Sequence, residues 1–144
     1  MLIGNFHHTL EQKGRLAIPK QFRDALGDNP ILTIGFETCL QLLPFNTWSD
    51  LTKDLGTHPL EKQHQRELRR LLSHSAASPN FDSQGRISLP TNLIAYANLK
   101  KKVVVAGSID WIEIWDLDAY TQHISTLKQE ATNLANKFTN KDDK

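Results

Sequence analysis

Polar and apolar residues alternate in short segments near the start of the chain, as expected for half-buried β-strands. Residues 5–10 and 15–18 have this period of two, and residues 12–14 between them contain a glycine suited to a tight turn. Side chains of a strand point alternately to its two faces. We therefore predict that the second strand buries even positions such as Leu16 and displays Arg15 on the opposite face, beside the turn.

Helices and strands follow in turn after this hairpin. Pro19 suits the first position of a short helix, and Gly27 suits its end. Asn46 is expected to cap a later helix that ends near Gly56. Two strands are predicted between these helices, at 31–36 and 39–43.

An internal repeat organises the sequence. Residues 10–22 align with residues 81–93 at an offset of 71, so that glycine, arginine and proline coincide and an acidic residue lies four positions before each arginine. After one inserted residue the match continues, with Gly35 aligned to Gly107. Two copies are too few for a solenoid, so we predict a pseudo-symmetric pair of βαββ units. The second unit has a short helix from Pro90 and strands at 86–89, 103–107 and 111–115.

Two longer helices are predicted beside these units. One covers 59–75 and bridges the copies. In the other, capped by Asp116, apolar residues recur at spacings of three and four from Leu117 to Phe138. This stripe either packs on its own domain or forms a seam with another chain, and both alternatives stay open. The predicted organisation is a first repeat at 1–56, a bridging helix at 57–76, a second repeat at 77–120, and a C-terminal helix and tail at 121–144.

The composition is that of a globular protein. Of 144 residues, 39% are hydrophobic and 23% are charged. No apolar run approaches the roughly 20 residues of a membrane helix, and no secretory signal is evident, so we predict a cytoplasmic protein without a membrane partner. The single cysteine, Cys39, excludes an internal disulfide and a cysteine-rich zinc site. With a net charge of +1, the total charge indicates no partner.

Charge is nevertheless distributed unevenly. Residues 11–23 and 82–102 each have an excess of three positive charges, whereas residues 109–118 contain acidic residues and no basic one. A molecule with one positive side would account for this pattern, and so would an ordinary surface of mixed charge. The presence of a basic segment in both copies favours the first interpretation.

The sequence contains no recognisable catalytic pattern. Its six histidines fall into no metal-ligand spacing, and it has no phosphate-binding loop, dinucleotide fingerprint or nucleophile elbow. Cys39 lies between apolar neighbours and is interpreted as a core residue. Glu11 and Asp82 could be a carboxylate pair, but each has a nearer role beside the arginine four residues on. We predict a protein that is not an enzyme, with no catalytic residue, metal, cofactor or small-molecule substrate.

Arginines on a strand beside a turn suit double-stranded DNA. Arginine donates two parallel hydrogen bonds to guanine, lysine neutralises phosphate, and a two-stranded β element fits the major groove. The alternative is an acid–arginine pair that only stabilises a hairpin, but two copies with basic neighbours favour DNA binding. The predicted DNA contacts are Arg15, Arg86, Lys13, Lys20, Arg23 and Gln84, with Glu11 and Asp82 as the acids that orient the arginines.

The chain resembles the MraZ family of AbrB-like bacterial transcription factors at three motifs: Lys13-Gly14-Arg15-x-x-x-Pro19-x-x-Phe22-Arg23, Asp82-x-Gln84-Gly85-Arg86-Ile87-x-Leu89-Pro90, and Glu113-Ile114-Trp115-Asp116. The resemblance extends from Leu2 to about Tyr120. It implies an α+β fold, namely a duplicated AbrB-like swapped-hairpin β-barrel with additional helices. Glu11 replaces the aspartate usual in the family, which lengthens the acidic side chain by one methylene.

The resemblance also implies a function. It implies a ring-shaped homo-oligomer, with an octamer as one candidate size. It also implies binding to short, closely spaced repeats in a promoter. We therefore expect a nucleoid-associated repressor of its own promoter and of the division and cell-wall gene cluster. The alternative is an antitoxin-like interaction module that holds a partner protein through the helix at 117–138.

Overall fold

The computed structural model describes residues 1–57 and 62–140. The start of the predicted bridging helix and the last residues of the predicted tail lie outside these ranges. In the described part, seven strands are formed: β1 (Asn5–Thr9), β2 (Arg15–Ala17), β3 (Ile31–Ile34), β4 (Leu40–Leu43), β5 (Arg86–Ser88), β6 (Lys102–Gly107) and β7 (Ile112–Asp116). The same residues contain six α-helices: α1 (Lys20–Leu26), α2 (Phe45–Thr57), α3 (Gln63–Ser75), α4 (Thr91–Tyr96), α5 (Leu117–Gln129) and α6 (Ala131–Thr139).

A five-stranded antiparallel sheet in the order β1-β6-β7-β4-β3 forms the centre of the molecule. β1 belongs to the first copy but pairs along its length with β6 of the second, where Asn5 lies opposite Ala106. A bridge between Leu32 and Ala77 joins β3 to the segment that precedes the second hairpin. The predicted pairing of the first two strands in one hairpin is therefore wrong, because β1 pairs with β6 and β2 pairs with β5 of the other copy.

The central strand pairs join equivalent residues of the two copies. β2 and β5 form a separate two-stranded ribbon in which Leu16 lies opposite Ile87, its equivalent at the offset of 71. In the sheet, Gln41 of β4 lies opposite Glu113 of β7, its equivalent after the inserted residue. A residue that pairs with its own equivalent lies beside a local twofold axis. The duplication seen in the sequence is thus a pseudo-twofold arrangement in space.

The two hairpin turns hold each other in place. The Leu89 N–H donates to the Gly14 carbonyl at 2.8 Å, and the Ile18 N–H donates to the Gly85 carbonyl at 3.1 Å. Gly14 and Gly85 have φ values of 71° and 75°, which an L side chain rarely adopts. Each turn therefore requires a glycine. Its carbonyl accepts a hydrogen bond from the residue that follows the ribbon strand of the other copy.

One face of the ribbon is part of the hydrophobic core. Leu16 and Ile87 are fully buried, and α1 and α4 supply Phe22 and Leu93 to the same cluster. The rings of Phe6 and Phe22 pack edge to face, with centroids 5.3 Å apart. Burial of this face leaves the other face of the ribbon, which carries the arginines, directed away from the core.

The predicted fold class is confirmed as a duplicated α+β chain with antiparallel strands and additional helices. The described strands form two sheets, of five and two strands, and do not close into one barrel. The predicted burial of Leu16 beneath Arg15 is confirmed, because Leu16 is inaccessible to solvent. The prediction that Asn46 caps a helix is wrong by two residues, since α2 begins at Phe45 and includes Asn46 in its first turn.

The C-terminal helix differs from the prediction of one continuous helix. Asp116 caps α5 as expected, and its carboxylate accepts the Ala119 N–H at 3.4 Å. Glu130, with φ −100° and ψ 12°, then separates α5 from α6. Neither glycine nor proline lies at this break, so the sequence has no signal for it. α5 contacts β6 and β7, whereas the residues of α6 are exposed.

Gly14→Ala is expected to destabilise the protein more than the control variant Gly4→Ala. Both glycines have positive φ, 71° and 89°, so both variants incur the cost of a Cβ at positive φ, about 1–2 kcal/mol. A Cβ on Gly14 would also lie 2.8 Å from the Leu89 carbonyl oxygen, whereas a Cβ on Gly4 makes only an ordinary contact with Phe6 Cε2 at 3.9 Å. The free energies of unfolding of the two variants, measured in urea, should differ by at least about 1 kcal/mol. Equal losses would contradict the close approach of the two turns.

Candidate nucleic-acid interface

Both motif arginines lie on the outer face of the ribbon. Arg15 pairs with Ser88, and Arg86 pairs with Ala17. The arginines therefore occupy diagonal positions on one face, within reach of each other's long side chains. Two motifs that are far apart in the sequence contribute to a single surface.

An open cleft of about 720 Å³ lies along this surface. We call it the hairpin cleft. Its lining combines the first hairpin with one residue from the second ribbon strand and one that precedes β6: Thr9, Leu10, Glu11, Gln12, Lys13, Arg15, Arg86 and Lys101. Four of these side chains are cationic, so the cleft has the charge that a polyanion requires.

Arg86 is bound by an acidic residue from each copy. Its Nε donates to Asp82 Oδ2 at 2.9 Å, and its Nη1 donates to Glu11 Oε1 at 3.1 Å. The Arg86 side chain is only 19% exposed, less than either carboxylate. These contacts raise the pKa of the guanidinium, chiefly through the side-chain hydrogen bond to Asp82. Arg86 thus connects the two hairpins through charge-assisted hydrogen bonds.

Asp82 also organises the turn of its own hairpin. Its Oδ1 accepts the backbone N–H groups of Gln84, at 2.8 Å, and of Arg86, at 2.9 Å. The backbone N–H and then the guanidinium of Arg86 lower the pKa of Asp82, against the opposing effect of desolvation, and the N–H of Gln84 adds to the lowering. The carboxylate is therefore charged at neutral pH and fixes both the turn and the arginine.

Glu11 does not pair with Arg15, contrary to the interpretation of the acid–arginine spacing. Its carboxylate binds Arg86 of the second copy instead. The register of the ribbon brings Arg86 beside the first hairpin, and the extra methylene of glutamate supplies the reach. Among the described residues, Arg15 forms no salt bridge, so its guanidinium is available to a ligand in the hairpin cleft.

The other predicted DNA contacts differ in their surroundings. Lys13 is exposed in the first turn, with φ 64°, and Gln84 is exposed in the second. Lys20 is exposed at the start of α1, and its Nζ lies 3.0 Å from Asp24. Arg23 donates from Nη1 to the Ile18 carbonyl at 3.0 Å. A role for these residues in DNA binding stays a prediction.

Lys101 is a candidate contact that the sequence prediction missed. The carbonyl of Lys101 accepts the Leu10 N–H at 2.7 Å, which places the lysine beside the first hairpin. Its only signal in the sequence is the basic run at 100–102. The run lies beside the first hairpin only because β1 pairs with β6. Since these strands are far apart in the sequence, local patterns do not predict this position.

Cys39 has the core position that the sequence predicts. It is fully buried, and its Sγ donates weakly to the Phe36 carbonyl at 3.2 Å. Burial, followed by the charges of Glu113 and Glu37, raises the pKa of the thiol to about 12. At neutral pH it is therefore a neutral packing group and not a nucleophilic thiolate.

Residues 1–57 and 62–140 contain neither a cluster of metal ligands nor a helix that could span a membrane. No group of three or more His, Cys, Asp or Glu side chains is arranged to hold a metal ion in these residues. None of the helices formed by them is both long and apolar enough to cross a membrane.

The Asp82→Asn variant should lose stability in a pH-dependent way. The pKa of Asp82 is lower in the folded chain than the ordinary value of about 3.9, so its charged form stabilises the fold above that pH. This contribution disappears as the pH falls through the lowered pKa. Urea midpoints of wild type and variant should therefore differ most at neutral pH and converge below about pH 4. A constant difference down to about pH 3 would contradict this assignment.

Comparisons with known proteins agree with the motifs. The family model described as "MraZ protein, putative antitoxin-like" matches residues 1–71 and again residues 72–143, so it divides the chain at the internal repeat. A protein of Roseiflexus castenholzii is 37% identical over 138 residues, covering 96% of both chains. Proteins of Leuconostoc mesenteroides and Herpetosiphon aurantiacus are 39% and 38% identical over 135 residues, covering 94% of both chains. All three are named transcriptional regulator MraZ. The resemblance inferred from the motifs is confirmed, and the chain belongs to the MraZ family of transcriptional regulators.

Proposed function

We propose that this transcriptional regulator binds double-stranded DNA sequence-specifically through the hairpin cleft. The observation that carries the proposal is the convergence of cationic residues from both copies on one face of a two-stranded ribbon. Arg15 on this face has no salt-bridge partner among the described residues. An unpaired arginine on an exposed ribbon is suited to the major groove, where guanine accepts two parallel hydrogen bonds.

The lysines of the hairpin cleft have a different role. Lys13 and Lys101 lie on the same cleft as Arg15. A flexible ammonium group is a point charge and does not supply the planar fork that distinguishes bases. These lysines therefore neutralise phosphates and set the position of the ribbon, while the arginine supplies sequence preference.

Affinity then arises from several copies acting together. The chain has a net charge of only +1, so one protomer attracts DNA weakly. A ring-shaped homo-oligomer would present several hairpin clefts to tandem repeats and raise the affinity through effective concentration. An apolar cleft of about 250 Å³ supports self-association, because its lining includes the exposed side chains of Phe36 and Leu51.

The expected targets follow from the family. The protein would bind repeats in its own promoter and in the division and cell-wall gene cluster, and would repress transcription by blocking polymerase. It would therefore act in the cytoplasm at the nucleoid.

Fluorescence anisotropy tests this function directly. The labelled duplex would carry the DNA immediately upstream of the protein's own gene, with its repeats either intact or scrambled at constant composition. Tighter binding to intact repeats, with affinity that falls steeply in salt, is the expected result. Equal binding to both duplexes, or no binding by a folded protein, would overturn the proposal.

A second candidate function rests on the exposed helix α6. Leu134 is 43% exposed and Phe138 is 84% exposed, which suits an antitoxin-like module that binds a partner protein. In that case substitution of both residues by glutamine would abolish partner binding, and the wild-type protein would not discriminate intact from scrambled repeats. The anisotropy experiment therefore separates the two functions.

Lys20→Ala should weaken binding to intact and scrambled DNA equally. Lys20 is highly exposed at the start of α1, three residues after the end of β2, and the loss of one phosphate contact should reduce the slope of log affinity against log salt by about 1. Lys137→Ala, at an exposed position of α6, is the matched control and should leave the slope unchanged. A loss confined to the intact repeats would contradict a phosphate role for Lys20.

A further inference from the structure

We propose that the two motif arginines have different roles, in that Arg15 alone reads base edges while Arg86 is a positioning residue held by Glu11 and Asp82. The inference rests on the proposed function and assigns the specificity of the hairpin cleft to one arginine per protomer. Glu11 thereby becomes a positioning residue as well, because it binds the arginine of the other copy.

The hydrogen bonds of Arg86 leave it poorly suited to reading guanine. A guanidinium has two forked edges, Nε–Nη2 and Nη1–Nη2, and bidentate recognition of guanine requires both nitrogens of one edge. In Arg86 the Nε is bound by Asp82 and the Nη1 is bound by Glu11. The Nε–Nη2 edge is therefore occupied at Nε, and the Nη1–Nη2 edge has the Glu11 carboxylate beside Nη1. Nη1 and Nη2 retain N–H groups, but the acceptor atoms of guanine would have to approach them beside two carboxylates, which disfavours the contact.

The local charge supports the same division of roles. Arg86 with its two carboxylates forms a cluster with a net charge of −1, which does not attract phosphate. Arg15 lies on the same cleft with Lys13 and Lys101, and none of these three cations forms a salt bridge with a described residue. DNA that approaches the ribbon is therefore attracted to the side of the cleft that presents Arg15.

The asymmetry originates in two acids at equivalent positions of the repeat. Asp82 is short and accepts the backbone N–H groups of Gln84 and Arg86 in its own turn. Glu11 is longer by one methylene and extends to Arg86, 75 residues away in the sequence. Both acids thus bind the same arginine, and Arg15 is left without one.

A matched pair of conservative variants tests the division. Arg15→Lys and Arg86→Lys both keep the charge and remove the planar fork. The measured quantity is the ratio of Kd for scrambled duplex to Kd for the intact upstream duplex. Arg15→Lys should lower this ratio by about tenfold or more, whereas its affinity for scrambled DNA changes by less than about threefold. Arg86→Lys should weaken binding to both duplexes by the same factor, because the ribbon is held less firmly, and should leave the ratio within about twofold of wild type.

Arginine modification tests the same division on the wild-type protein, so it does not depend on the folding of a variant. Phenylglyoxal would be applied with and without the intact duplex, and the modified positions quantified by mass spectrometry. Arg15 should react in the free protein and be protected by DNA. Arg86, which is 19% exposed and doubly bound, should react slowly in both samples.

The outcomes distinguish this inference from the proposed function. Loss of discrimination in Arg86→Lys as large as in Arg15→Lys, or equal protection of both arginines by DNA, would overturn the division of roles while DNA binding itself stands. A wild-type protein that does not prefer intact repeats would overturn the proposed function and this inference together.

Discussion

Hydrogen bonding between the two copies is the constraint on which the rest of the structure depends. β2 and β5 are only three residues long, and an isolated two-stranded ribbon of that length is not stable in water. The ribbon persists because Leu16 and Ile87 bury one face in the common core, and because the carbonyls of Gly14 and Gly85 each bind the other copy. The surface that carries the arginines is therefore a product of both copies, and neither copy could present it alone.

Fusion of two copies in one chain allows the side chains to diverge on a symmetric backbone. Gly85 packs beneath the guanidinium of Arg23, whereas Gly14 packs beneath the side chain of Ile94, which occupies the equivalent position. Glu11 also diverges from its equivalent, which binds its own turn. A homodimer of single copies would have to repeat every contact twice. This chain can instead use one arginine to fix the ribbon and leave the other available.

The sequence predicted those features that depend on local patterns. Alternation and turn glycines located both ribbon strands, because these signals lie within a few positions of the sequence. The offset of 71 identified equivalent residues, but it did not predict that β2 and β5 pair, since the pattern indicated a hairpin within the first copy. It did not predict that Glu11 reaches Arg86 or that Lys101 joins the cleft, because both contacts depend on which strands pair across the copies. The break at Glu130 was missed for a different reason, since no residue there disfavours a helix.

The net charge of the hairpin cleft determines how strongly one protomer attracts DNA. If Arg86 is neutralised by its two acids, attraction to phosphate comes from Arg15 and the two lysines of the cleft. Each phosphate contact contributes about 0.9 to the salt slope, so a few contacts give a single protomer only weak binding to arbitrary DNA. Weak binding per site would be an advantage in the proposed ring, because random sequence rarely offers several correctly spaced sites. Tandem repeats would offer them, so under this proposal the acids that reduce the charge of each cleft would also make occupancy depend on the repeats.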